Sequence, residues 1–226
     1  MPLQDTLDAF KADFESGKPP FNVSADVVAL MHRATAELEA TGQARRARGV
    51  GDRLPNFALP TPDGKTVSSL DVLAERPLVL SFYRGVWCPY CNFELEALEA
   101  ARTAIEATGA ALFAVSPQTA TNSRKAARQS NLGFPILIDE GNEFGRELGL
   151  VFRLPDYLIE GAYKKLGAVL PSFNGDDSWE LPMPARYVVG QDGVIAYAEV
   201  NPDYTQRPDP SEMLPVLRRL AAPVKA

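Results

Sequence analysis

The sequence predicts an α/β fold in which a sheet is covered by helices on both faces. Three observations predict it. Residues 78–83, Leu-Val-Leu-Ser-Phe-Tyr, form a nearly continuous apolar run, the pattern of a strand buried on both sides. Residues 111–115, Ala-Leu-Phe-Ala-Val, form a second such run, with a helical pattern between the two. Near the end, 187–189 and 194–197 read as a hairpin through Gln191-Asp192-Gly193.

Composition bounds what such a fold can do. The chain has 226 residues, 23 Lys+Arg against 29 Asp+Glu, and a net charge of −6. It is 46% hydrophobic and 23% charged, which is globular composition, enough for one or two domains. The acidic balance argues against nucleic-acid binding, which needs a basic face. No apolar run approaches the ~18 residues that would cross a bilayer, so no membrane partner is expected. The opening Met1-Pro2-Leu3-Gln4-Asp5 lacks a basic segment leading into an apolar one, so the expected location is cytoplasmic. A single histidine, His32, disfavours a histidine metal cluster or a Ser-His-Asp triad, and an ordinary surface or interhelix role is expected for it.

The elements follow in order. Leu3, Leu7, Phe10 and Phe14 recur at helical spacing until Gly17 and Pro19-Pro20 stop the run. Ser24 caps a second helix with the face Val27, Leu30, Met31, Ala34 and Leu38, ending at Gly42. Residues 43–49, rich in arginine, read as an exposed linker, so residues 1–48 are expected to be a helical extension and 49–226 the α/β domain. Phe57-Ala58-Leu59 and Thr66-Val67 flank the turn Asp63-Gly64. A helix is expected from Pro89 to Thr108, another over 119–129, and a strand over 134–138. Shorter helices follow at 142–148 and 157–166. The last helix opens on Asp209 as cap, with Pro210 first and Glu212 completing a capping box.

The two cysteines carry the chemistry. Cys88 and Cys91, in Trp87-Cys88-Pro89-Tyr90-Cys91, sit where the first buried strand hands over to a helix. The unpaired N–H groups and positive dipole end of a helix favour a thiolate at Cys88, and the thiolate is the nucleophile. Pro89 suits the first helical position. Cys91 falls three residues on, a neighbour on the same side of the first turn. Cys88 is expected to be the exposed attacker and Cys91, in line with Leu95, Leu98 and Ile105, its buried partner. A zinc half-site has the same spacing but lacks further ligands in this chain, and two inert core cysteines are a third reading. The strand-to-helix placement favours redox chemistry.

The motif and its surroundings resemble a known family. Residues 51–60, Gly-Asp-Arg-Leu-Pro-Asn-Phe-Ala-Leu-Pro, with Asp63-Gly64-Lys65, are similar to the opening of peroxiredoxins of the alkyl hydroperoxide reductase/thiol-specific antioxidant family. Residues 82–91, Phe-Tyr-Arg-Gly-Val-Trp-Cys-Pro-Tyr-Cys, resemble a peroxiredoxin-like branch; 134–139 and 148–150 resemble later family segments. The resemblance spans about residues 51–200 and implies a thioredoxin-like three-layer sandwich with a central mixed sheet. It implies a peroxidase acting on hydrogen peroxide and organic hydroperoxides, without cofactor or metal. Cys88 would become a sulfenic acid, Cys91 would close a disulfide with it, and a dithiol such as thioredoxin would reduce the pair.

The chain also departs from the family pattern. Gly85 stands where peroxiredoxins carry Thr or Ser, whose hydroxyl helps hold the peroxide. Pro184 stands where the family has an arginine, and the segment 183–187 resembles the cis-proline segment of thioredoxins, which would present backbone groups to a disulfide. Arg186 or Arg84 is expected to replace the missing charge, with a surface or structural salt-bridge role as the equal alternative for each. Trp87 and Tyr90 are expected to wall the site. Phe82 replaces the buried acid of thioredoxins. Two further readings stay open, a protein thiol–disulfide oxidoreductase and a redox-sensing interaction module. The extension packs on the domain or on a second copy of the chain, so a homodimer is also left open.

Overall fold

The computed structural model describes residues 2–221; the last five residues of the expected domain, 222–226, lie outside them. The chain begins with α1 (Leu3–Glu15), α2 (Ala25–Ala40) and the single turn α3 (Gln43–Arg46). A small hairpin, β1 (Ala58–Pro60) and β2 (Thr66–Ser68), leads to α4 (Ser69–Glu75). The centre is β3 (Leu78–Phe82), α5 (Pro89–Glu106), β4 (Ala111–Ser116), α6 (Ala120–Gln129) and β5 (Ile136–Ile138). Then come α7 (Glu143–Glu147), β6 (Val151–Arg153), α8 (Asp156–Leu158) running into a π turn (Ile159–Tyr163), α9 (Leu170–Asn174) and β7 (Glu180–Pro182). The chain closes with β8 (Ala185–Val189), β9 (Ile195–Val200), a 3₁₀ turn (Pro210–Met213) and α10 (Leu214–Ala221).

Five strands form the central sheet in the order β5-β4-β3-β8-β9. β3, β4 and β5 run parallel, joined by helical crossovers, while β8 and β9 are antiparallel to their neighbours. All five residues of β3 are buried, as its apolar run requires. Alternation sorts them: Val79 joins a core layer with α1, α5 and α10, while Leu78, Leu80 and Phe82 join the opposite layer with Tyr187 and Phe144. This is the mixed sheet with helices on both faces that the sequence predicts. The capping box at Asp209–Glu212 is present, although the turn it opens is 3₁₀ before α10 begins. The antiparallel pair β6–β7 is an element the sequence reading passed over; at three residues each these strands are too short for alternation to register.

Residues 1–48 are bound into the domain. Leu3 and Leu7 are buried in the same core layer as Cys88, Leu95 and Leu98. The α1 amide of Leu3 reaches the Asp209 carboxylate at 3.3 Å. Ser24 caps α2 as expected, and Val27 with Leu30, Met31 and Ala34 packs against the π turn and Leu154 in a third cluster. His32 joins the two helices through Glu15 at 2.7 Å. The expected exposed linker at 43–49 is instead docked. The Gln43 amide donates to the carbonyls of Gly149 and Val151, just before and at the start of β6, at 3.1 and 2.7 Å.

If α1 belongs to the core, Leu7→Ala lowers the unfolding free energy by ~2–5 kcal/mol. Leu70→Ala, at a side chain 60% exposed on α4, changes it by less than about 0.5 kcal/mol. Urea denaturation followed by circular dichroism checks both; equal, negligible effects would show that α1 is not part of the core.

Candidate active site

β3 delivers the chain to a short loop, 83–87, whose shape is set by hydrogen bonds. Gln118, just past β4, accepts from the Val86 amide at 2.8 Å and donates to the Tyr83 hydroxyl at 3.1 Å. The Asn92 amide holds the Val86 carbonyl at 3.0 Å. The Cys88 amide closes the loop on the Gly85 carbonyl at 3.0 Å. Gly85 has φ +153°, and a Cβ there would lie 2.3 Å from Trp87 Nε1. The loop therefore has no room for a Thr or Ser at position 85, and the indole occupies the space such a side chain would need.

Cys88 is the N-cap of α5 and Pro89 its first residue. The Cys88 carbonyl accepts from the Cys91 and Asn92 amides, both at 3.1 Å, which sets the two sulfurs on one turn. Both are free thiols. Cys88 is 1% exposed and Cys91 0%, so the expectation of an exposed attacker is corrected. Aromatic side chains close over the end of the helix: Tyr90 meets Phe10 edge-on at 5.1 Å and Tyr204 at 5.5 Å, and Trp87 meets Tyr163 at 5.5 Å.

Arg84 is the buried cation beside the sulfur. Its Nη2 donates to Cys88 Sγ at 3.1 Å and its Nη1 to the Tyr163 hydroxyl at 2.9 Å. The guanidinium lies 3.8 Å from the centroid of the Tyr204 ring and 5.2 Å from that of Trp87. Burial pushes the Cys88 thiol upward. The Cys91 thiol hydrogen bond, the Arg84 charge and hydrogen bond, and the Cys91 backbone N–H more than reverse this and bring it down to about 5. The helix terminus thus contributes through one amide, behind the second cysteine and the arginine. Cys91 moves the other way: burial raises it, the Cys88 partner raises it further, and Arg207 and Arg84 pull against them.

Arg186 and Pro184 take other places. Arg186 lies in β8 and donates to Glu94 of α5 at 2.9 Å; Arg207 donates to the other Glu94 oxygen at 2.6 Å. All three are buried, so Arg186 is neutralised by a carboxylate and Arg84, rather than Arg186, supplies the charge at Cys88. The cis-proline expectation is also corrected. Among the described residues the one cis peptide joins Pro19 and Pro20, so Met183–Pro184 is trans. The Pro184 carbonyl is taken by the Asn201 amide at 3.1 Å.

The sequence reading missed Tyr163, Tyr204, Gln118, Glu94 and Arg207. Glu94 left a signal, a carboxylate three residues after Cys91 on the inward side of α5; the others arrive from distant segments. Two cavities meet Arg84. One of about 350 Å³ lies between α2 and residues 152–158. The other, of about 230 Å³, is lined by Cys88, Trp87, Tyr90 and the phenylalanines of the first 21 residues.

A buried cysteine capping the helix after the central strand, with a second cysteine one turn on, is the arrangement of a thioredoxin-fold thiol protein. The AhpC/TSA family model matches residues 50–198, and the chain belongs to that family. A chloroplastic peroxiredoxin Q from Triticum aestivum is 34% identical over 96 residues, 42% of this chain and 44% of its own length. The thiol-disulfide oxidoreductase ResA of Bacillus thuringiensis is 25% identical over 132 residues, 58% of this chain and 73% of that one. The chain thus spans about half the length of the peroxiredoxin Q relatives it matches. Among solved structures, peroxidoxin BcpB from Mycobacterium tuberculosis aligns with TM-score 0.59 and 17% identity, covering 79% of this chain and 99% of its own. Prx3 from Vibrio vulnificus, in complex with hydrogen peroxide, gives TM-score 0.59 and 18% identity over 75% and 99%. These likenesses show the shared thioredoxin-like fold.

The electrostatics predict a pH profile. The thiolate fraction of Cys88 rises with pH through its lowered value, so alkylation of the reduced protein by iodoacetamide is half-maximal near pH 5 and flat above about pH 6. Cys91→Ala removes the largest stabilising contact and shifts the midpoint upward by about one unit or more. A wild-type midpoint in the ordinary thiol range, unmoved by the substitution, would contradict the geometry.

Proposed function

We propose that the chain is a thiol-dependent peroxidase in which Cys88 attacks and Cys91 resolves. The observation that carries this reading is the Cys88 sulfur, buried and hydrogen-bonded by Arg84 at the head of α5, in a chain of the AhpC/TSA family. The thiolate attacks the terminal oxygen of a hydroperoxide; the O–O bond breaks and the alkoxide, or hydroxide, leaves and takes a proton. Cys88 is then a sulfenic acid. Arg84 holds the attacking sulfur ionised and faces the charge that develops on the leaving oxygen.

The second step follows from the same charges. A neutral sulfenic acid no longer repels a thiolate at Cys91, while Arg207 and Arg84 still favour one. Cys91 then attacks the Cys88 sulfur, a disulfide forms, and the sulfenic oxygen leaves as water. A dithiol reductant such as thioredoxin restores both thiols by exchange. No cofactor takes part in this scheme. With both sulfurs buried, the reductant reaches the disulfide after the aromatic cover moves aside. Such a cycle needs a reducing compartment, in keeping with a cytoplasmic location.

A protein thiol–disulfide oxidoreductase, the activity in the name of the ResA relative, is the second reading, motivated by the C-x-x-C spacing. The engaged Pro184 carbonyl, in a trans peptide, counts against it, because it is not offered to an incoming disulfide.

Stopped-flow tryptophan fluorescence checks the peroxidase. Reduced protein mixed with one equivalent of hydrogen peroxide or cumene hydroperoxide reacts at least about 100-fold faster than free cysteine, general-acid and electrostatic help together being worth that much or more. Cys91→Ser stops at a sulfenic acid that dimedone captures, and Cys88→Ser is silent. A wild-type rate no greater than that of free cysteine would refute the proposal.

A further inference from the structure

The cavity above Cys88 has a composition that peroxide reduction by itself does not require. On one side it holds the sulfur, Arg84 and Trp87. Arg84 Nε and Trp87 Nε1 are both buried N–H donors without a partner. Leaving two such donors unpaired in a closed site is costly unless an acceptor enters. On the other side the cavity is apolar. Phe10, Phe14 and Phe21 form a ring cluster, with centroids 5.3 Å apart for Phe10–Phe21, 5.9 Å for Phe10–Phe14 and 5.7 Å for Phe14–Phe21. Met31 of α2 completes this wall. All four belong to the segment before the family's matched region, which begins at residue 50.

We infer that residues 10–31 build a tail site that selects hydroperoxides with a bulky apolar substituent, and that the Trp87 indole N–H holds the peroxide head against Cys88. The inference rests on the peroxidase reading and adds to it a substrate-selecting role for a segment outside the family's common domain. Once the ring cover shifts enough to uncover the two free donors, the two oxygens of the head accept from them, while the substituent takes the place of water against the rings. A cavity of about 230 Å³ has room for a cumyl-sized group, and the oxygens of hydrogen peroxide alone would leave most of its apolar wall in contact with water. Trp87 holds the donor that a hydroxyl at position 85 would otherwise provide, in the space that Gly85 leaves. Bond changes are those of the peroxidase step: S–O forms, O–O breaks, and the tertiary alkoxide leaves as the alcohol after taking a proton from water.

The test compares second-order rate constants for cumene hydroperoxide and hydrogen peroxide on the reduced full chain. Wild type favours cumene hydroperoxide. Phe21→Ala, at a side chain 37% exposed and therefore tolerant of truncation, lowers the cumene-to-hydrogen-peroxide ratio about tenfold, and Phe21→Leu restores part of it. Trp87→Phe, which keeps a ring and removes the donor, lowers the peroxide rates about tenfold more than it lowers iodoacetamide alkylation, which needs no such donor. A wild type that reacts faster than free cysteine with both peroxides but shows no preference, with a ratio unmoved by Phe21→Ala, overturns the tail site and leaves the peroxidase standing. Equal losses of alkylation and peroxide rates in Trp87→Phe overturn the head contact. If neither peroxide outpaces free cysteine, the peroxidase reading fails and takes the tail site with it.

Discussion

Arg84 is a buried cation whose anionic partner is a sulfur. Its guanidinium meets a tyrosine hydroxyl, two aromatic faces and Cys88 Sγ, and among the described residues no carboxylate lies within ion-pair distance of it. A buried charge left without a counter-charge is expensive, more than two aromatic faces offset. Ionised Cys88 supplies the counter-charge. The stability of the loop and the reactivity of the sulfur are therefore one electrostatic problem, solved by keeping the thiol deprotonated near neutral pH.

The rest of the site is arranged around that pair. Tyr83 and Gln118 fix the loop that carries Arg84, and α5 carries both cysteines on one turn. Glu94 draws off Arg186 and Arg207, which leaves one positive charge in excess on the Cys91 side of the helix. Consequently the two sulfurs ionise in succession. Cys88 is the thiolate first and holds Cys91 protonated; its oxidation removes that restraint. The segment 1–48 contributes by enclosure, since its rings exclude water and strengthen each of these interactions.

Much of this was legible in the sequence, for identifiable reasons. A run such as Leu78–Phe82 can be read because burial on both faces leaves no polar position in the pattern apart from Ser81. The C-x-x-C pair can be read because its spacing is local to one helical turn. Phe10, Phe14 and Met31 are visible as helix-face residues, but an amphipathic face does not name what it covers, and they cover the reactive sulfur. Tyr163 and Tyr204 lie more than 70 residues from Arg84 in the chain and meet it through tertiary packing alone. Of the two roles open to Arg186, the structural salt bridge is the one found, and its partner is not legible because Glu94 pairs with it from a helix whose rotation the sequence does not specify. Pro184 was assigned by analogy of a short segment, and its carbonyl serves the sheet instead.

The central claim is that the Arg84 guanidinium and the Cys88 thiolate stabilise one another. A titration of thiolate ultraviolet absorbance in Arg84→Met and wild type, both carrying Cys91→Ser so that one sulfur reports, tests it directly. Removing the guanidinium moves the midpoint upward by at least about one unit if the pair is as described. Superimposable curves for the two proteins would contradict it.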